Sequence, residues 1–160
     1  MKITFIAHSA FLVEWDKFYT LFDYVYEPDY TGTLPPLDPQ KPLLVFSSHS
    51  HEDHFDGKVF GLLEQYPLTQ FFVSRDTRLT ERRRKWLGIS DEAFARTTVL
   101  RPDSILLTEA AGEELSVRAI KSTDIGNAYL LRAEGKMVYH GGDLNWWHWE
   151  SEGKAYCNNM

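Results

Sequence analysis

The chain has 160 residues, 43% of them hydrophobic and 14% aromatic, with a formal net charge of −6. This excludes a disordered chain and suffices for one domain with its own core, residues 1–160. The acidic balance speaks against general nucleic-acid binding, no apolar stretch is long enough to span a membrane, and the single cysteine, Cys157, excludes an internal disulfide. The N-terminus lacks the apolar stretch of a signal peptide, so the expectation is a soluble, cytoplasmic protein.

Residues 2–7, 11–15 and 18–23 read as three short strands of a meander, broken at His8-Ser9 and Asp16-Lys17. From Glu27 to Pro42 the chain carries Pro28, Pro35, Pro36, Pro39 and Pro42, which rules out a helix or a central strand. A surface loop is predicted there, and a wall of a substrate pocket is a second use for it. Leu43-Leu44-Val45-Phe46 is a continuous apolar run of the kind that forms a buried strand. Asp56 to Gln65 reads as a helix with Val59, Phe60, Leu62 and Leu63 inward, Phe71-Phe72-Val73 as a strand, and Thr77 to Leu87 as a charged helix closed by Gly88. The run Arg82-Arg83-Arg84-Lys85 in that helix is expected to be a solvated face rather than a phosphate patch. Ser90-Asp91-Glu92 starts a further helical turn. Strands are predicted over Ser104–Leu107, Leu115–Lys121, Ala128–Ala133 and Met137–His140, with Glu134-Gly135-Lys136 as a tight hairpin turn. Trp146-Trp147-His148-Trp149 opens a polar, helical tail.

The chemistry concentrates directly after the apolar run, in His49-Ser50-His51-Glu52-Asp53-His54. His49 and His51 are two apart, so in extended chain their side chains leave on the same side and can share one metal ion. Asp53 and His54 follow where the backbone turns and can face a second ion. Glu52 faces the other way. A mixed nitrogen and oxygen set suits zinc, iron or manganese. Two ions about 3.5–4 Å apart can clamp an electrophile between them. The plainer reading is a polar loop whose histidines cap a helix, and three histidines and an aspartate in this order weigh against it.

The pattern His49-x-His51-x-Asp53-His54-x-x-Gly57 resembles the signature of the metallo-β-lactamase superfamily. Lys2 to Glu14 resembles the first hairpin of its ascorbate-phosphate-lactonase-like hydrolase branch, Leu21-Phe22-Asp23 its strand-ending aspartate, and Gly141-Gly142-Asp143 its later Gly-Asp motif. The resemblance implies an α/β (α+β) fold, the αββα metallo-β-lactamase sandwich, here with an incomplete second half because complete relatives run longer. It implies zinc, one or two ions, held by His49, His51, Asp53 and His54, with Asp143 bridging and Asp23 supporting the metal loop. A third ligand of the first ion is usually a mid-chain histidine. The stretch Ala119 to Asp124 has none, and Asp124 either supplies an oxygen instead or caps the turn before Gly126. The last ligand is usually a late histidine. His148 is the only later one here and is either a substitute or packed among tryptophans. His140 is expected to support or pack against the site.

The implied function is a metal-dependent hydrolase in which an activated water attacks an ester, lactone, amide or phosphoester of a small molecule. Asp53 would orient that water. His8 would orient the substrate or donate a proton, or is a hydrogen-bonded turn residue. The alternative is a metal-binding but catalytically weak protein of the same fold. A half-finished sandwich would leave apolar surface uncovered, so a homo-oligomer is expected.

Overall fold

Every residue of Leu43-Leu44-Val45-Phe46-Ser47 is buried, and in the computed structural model, which describes residues 1–144, this strand lies inside a six-stranded sheet. The order is β1 (Lys2–Ala7), β2 (Ala10–Glu14), β3 (Tyr19–Phe22), β4 (Leu43–Ser47), β5 (Thr69–Ser74), β6 (Thr97–Leu100). β1 to β3 form an antiparallel meander, whereas β3 to β6 pair in parallel. Parallel strands are covered on both faces, which is why β4 reads as an unbroken apolar run. A second, antiparallel sheet runs in the order β10 (Lys136–His140), β9 (Asn127–Ala133), β8 (Glu113–Lys121), β7 (Ser104–Ala110).

Alternation of side chains divides the core into two layers. Phe22, Leu44, Phe46 and Phe72 face Leu115, Val117, Tyr129 and Leu131 of the second sheet. Leu21, Leu43, Val45 and Phe71 face the other way, onto Val59, Phe60, Leu62, Leu63, Ile89 and Ala93 of the helical segments. The fold is therefore mixed α and β, stacked helix, sheet, sheet. The outer face of the second sheet exposes Ile105, Leu107, Met137 and Tyr139. The fourth layer of the expected αββα sandwich does not lie among the described residues.

Several boundaries differ from the sequence reading. The predicted helix over 56–65 is a 3-10 turn, Gly57–Gly61, followed by one helical turn, α1 (Leu62–Gln65). Gly57 and Gly61 lower helix propensity here, and the Asp56 carboxylate accepts from the Lys58 N–H, a contact that favours the tighter turn. The predicted helix over 77–87 is likewise split. A 3-10 turn, Arg75–Thr77, ends at Arg78 with φ 48°, in the left-handed region that a helix cannot contain. The chain restarts as α2 (Glu81–Trp86), followed by α3 (Asp91–Ala95). The basic run is not uniformly solvated either: Arg84 is buried, paired with Glu81 and Asp91 and stacked over Phe94 at 5.0 Å. β6 had no signal of its own in the sequence. It is short and half-exposed, and it exists through its pairing with β5. The proline-rich segment carries no helix or strand, in line with the loop predicted there. Trp146–Trp149, with His148, and Cys157 lie outside the described residues.

Thr80 caps α2 by accepting from the Arg83 N–H at 3.3 Å. Thr80→Ala is expected to cost about 1 kcal/mol in urea denaturation. An unchanged midpoint would show that the cap contributes nothing.

Candidate metal centre

Strands from both sheets deliver their carboxyl ends to one place, where open α/β sheets gather their chemistry. His8 directly follows β1, Asp23 follows β3, and Ser48 with the histidine motif follows β4. β8 leads into Asp124, and β10 into Gly141-Gly142-Asp143. The two sheets are tied together there: the Tyr129 hydroxyl donates to the Ser47 carbonyl at 2.9 Å and the Asn127 N–H to the Ser48 carbonyl at 2.9 Å.

Asp23 organises the site from beneath. It is 1% exposed, with φ 45°, a backbone region that aspartate tolerates better than most residues. Its Oδ1 accepts the Ser48 N–H at 2.7 Å. Its Oδ2 accepts the Ser48 hydroxyl at 2.7 Å, His54 Nδ1 at 2.8 Å and His140 Nε2 at 2.7 Å. Burial would raise the Asp23 pKa, but the His140 and His54 rings outweigh it and hold the carboxyl well below the usual carboxylate range. Tautomers follow from donor and acceptor accounting. With its Nδ1 proton committed to Asp23, neutral His54 presents a lone pair at Nε2. The Ser48 hydroxyl donates to Asp23 and so accepts from His49 Nδ1 at 2.9 Å, which leaves a lone pair at His49 Nε2.

These lone pairs point at two adjacent groups of ligand atoms. In the first, His49 Nε2 and His51 Nδ1 are 3.0 Å apart, and Asp124 Oδ2 lies 3.5 Å from His51 Nδ1 and 3.9 Å from His49 Nε2. Asp143 Oδ2 completes this group at 3.8 Å from His49 Nε2. In the second, Asp53 Oδ2 lies 3.0 Å from His8 Nε2 and 3.4 Å from His54 Nε2. The other oxygen of Asp143, Oδ1, is 3.2 Å from His54 Nε2. Ligands bonded to one tetrahedral zinc at about 2.0–2.1 Å stand about 3.3 Å from one another. The spacing therefore fits an ion in each group. His54 Nε2 adds a chemical argument. It is buried, faces the Asp53 and Asp143 carboxylates and has no hydrogen-bond partner. Burial alone would depress the His54 pKa, but its hydrogen bond to Asp23 and the fields of Asp23, Asp143 and Asp53 raise it. That negative field would equally favour a metal cation. At His49, where burial is the largest influence, the pKa is lowered and the neutral, metal-binding form is favoured.

All six residues singled out as ligands in the sequence, His49, His51, Asp53, His54, Asp124 and Asp143, thus meet in this centre, together with His8. The turn-capping role considered for Asp124 falls to Ser122, whose hydroxyl accepts the Asp124 N–H at 3.3 Å, and the Asp124 carboxylate is turned to the histidines. Glu52 is exposed and joins neither group. His140 stays beneath the site, bonded to Asp23 and stacked on Phe22 with ring centroids 4.7 Å apart. The Tyr30 ring, from the proline-rich loop, lies 4.9 Å from the His8 ring. Two contributors escaped the sequence reading. Ser48 relays Asp23 to His49, and its signal was a polar residue closing an apolar strand. Asp76 accepts the Ser50 N–H at 2.7 Å and so fixes the motif backbone from the 3-10 turn after β5, a contact that no local pattern announces.

Comparison with known proteins is consistent with this geometry. Residues 2–155 match the beta-lactamase superfamily domain. A curated protein of Opitutus terrae named as a metal-dependent hydrolase is 29% identical over 153 residues, which cover 89% of this chain and 63% of that protein. The chain therefore spans less than two thirds of this relative's length. A metallo hydrolase from the archaeon Ignicoccus hospitalis has a similar structure, with TM-score 0.59 and 22% identity, covering 88% of this chain and 60% of its own. A diiron beta-hydroxylase from Streptomyces venezuelae aligns with TM-score 0.57 and 14% identity, over 89% of this chain and 29% of its own. At these identities the two structures bear on fold alone. No helix of the described residues is long and apolar enough to cross a membrane.

Proposed function

The chain belongs to the beta-lactamase superfamily, and from that premise we propose that it carries the active centre of a metal-dependent hydrolase acting on an ester, lactone or phosphoester of a small molecule. The observation that supports this most is the division of Asp143 between the two groups, Oδ2 toward His49 at 3.8 Å and Oδ1 toward His54 at 3.2 Å. One carboxylate shared in this way suits two ions rather than one. His49, His51, Asp124 and Asp143 would hold the first ion, and Asp53, His54 and Asp143 the second. Zinc suits the imidazole content, and the carboxylates would also accept iron or manganese. Ions held there supply Lewis acidity and lower the pKa of water toward neutrality.

The chain's own part is proton handling and orientation. Asp53 Oδ2 and His8 Nε2 are 3.0 Å apart, within hydrogen-bond reach. The His8 side chain is 41% exposed, so its ring meets both the second group and incoming substrate. Asp53 would orient the attacking water and take its proton, and His8 would relay that proton to the departing oxygen as its bond breaks. His8→Gln is expected to lower kcat about 10²-fold with metal content unchanged. A fall in metal content would instead make His8 a ligand.

The function is tested by assaying the metal-loaded protein on a panel of esters, lactones and phosphodiesters, beside Asp143→Ala. Turnover lost in the variant is the expected result. A fully occupied site with no turnover across the panel would overturn the hydrolase reading and favour the metal-binding, non-catalytic one.

A further inference from the structure

Beside the metal centre lies a second feature, a cavity of about 720 Å³ at the carboxyl end of β5. Ser50 and Gly126 are part of its wall, and Ser50 stands between His49 and His51 while Gly126 follows Asp124 by two residues. None of the proposed ligands lines the cavity, but its wall supports their loop: Asp76 accepts the Ser50 N–H at 2.7 Å, and Gly126 packs so closely that a Cβ on it would come within 2.6 Å of His49 Cβ.

Three arginines line this cavity, Arg75, Arg78 and Arg83, against one carboxylate, Asp76. Among the described residues none of the three guanidinium groups forms an ion pair with a carboxylate, although the chain as a whole is acidic. Arg75 and Arg78 are exposed and Arg83 is half-buried. Ser74 is 0% exposed, and its hydroxyl has no hydrogen-bond partner. Arg83 Nε and Asp76 Oδ1 are also buried without one. Native proteins leave few such atoms, and three around a single cavity call for a reason. Arg78, at φ 48°, closes the 3-10 turn by donating its N–H to the Arg75 carbonyl at 3.0 Å, and both residues line the cavity. Arginine presents a planar fork of donors that matches an oxyanion.

We propose that this cavity binds the anionic end, phosphate or carboxylate, of the substrate whose scissile bond is presented to the metal centre; this rests on the hydrolase reading above. Arg75, Arg78 and Arg83 neutralise the oxyanion. The substrate is thus a small phosphate or carboxylate rather than a neutral ester.

Calorimetric titration of the metal-loaded protein with inorganic phosphate, and separately with acetate, tests this. Phosphate can also bind at the ions, so the comparison is with Arg75→Gln/Arg83→Gln, with metal content read in every sample. At least about a tenfold loss of affinity for one of the two anions at unchanged metal content is the expected result. Equal affinity in the variant, or no binding of either anion by the metal-loaded wild type, overturns the proposal. Should the double variant fold poorly, phenylglyoxal modification of the wild type decides. The expected result is protection of Arg75 and Arg83 by the bound anion with none at the exposed Arg118. Equal protection at all three, or none, overturns the proposal. Phosphate protection without acetate protection identifies a phosphate substrate, and the converse a carboxylate. A wild type without metal would count against the hydrolase reading instead, and arginine protection would still report on the cavity.

Discussion

Asp23→Ala is expected to destabilise the protein by about 3–5 kcal/mol and to weaken metal binding about 10–100-fold. The carboxylate is buried and accepts the Ser48 N–H and hydroxyl, His54 Nδ1 and His140 Nε2. Removing it strands these donors away from water and frees the rings of His54 and, through Ser48, of His49. Alanine at φ 45° also carries backbone strain, so Asp23→Asn serves as the control, because asparagine tolerates that region and keeps the volume. Urea denaturation and competition with a chelator read the two effects. The pH dependence has a definite sign. The Asp23 pKa is depressed in the folded state, so its contribution is fully present above the ordinary carboxylate pKa and is lost as pH falls through the depressed value. The difference between wild type and Asp23→Asn should therefore shrink below about pH 4. Wild-type stability and metal affinity in Asp23→Ala would contradict this role.

Gly126→Ala is expected to cost about 3 kcal/mol or more and to displace the metal loop. Two terms add. Gly126 has φ +73°, where a side chain costs about 1–2 kcal/mol. A Cβ there would also overlap the Ser48 carbonyl oxygen and come within 2.6 Å of His49 Cβ and 2.9 Å of Asp76 Oδ1. Overpacking of that kind costs about 1–3 kcal/mol. None of these neighbours is the loose end of a flexible chain: they are the backbone and Cβ of the motif and the carboxylate that fixes Ser50. Thermal denaturation with metal analysis would check it. Wild-type Tm with full metal content would show that the loop yields more readily than its packing indicates.

How much of this was legible in the sequence depended on whether the information was local. β4 is buried on both faces and so appears as an unbroken apolar run, and the motif directly after it could be read from its spacing. Asp143 was legible through its two glycines, one of which, Gly142, has φ +52° and packs where a Cβ would come within 2.8 Å of Ser48 Cβ. What escaped is set by partners remote in sequence. β6 depends on β5 for its pairing. Asp76 reaches Ser50 across 26 positions. The basic run gave no sign that Arg84 turns inward to Glu81, Asp91 and Phe94 while Arg83 turns to a cavity. A charged stretch looks the same in sequence whichever way its members face. Asp124 is the intermediate case, where a turn signal and a ligand signal coincide in one residue and only the tertiary fold shows the carboxylate facing His51.

The most direct test of the paired metal centre is elemental analysis of metal per chain, on protein purified without chelator or added metal, for wild type and Asp143→Ala. The account predicts close to two ions per chain in the wild type and one or fewer in the variant, because one carboxylate serves both groups. Much less than one ion in the wild type, or two ions retained in Asp143→Ala, would contradict it.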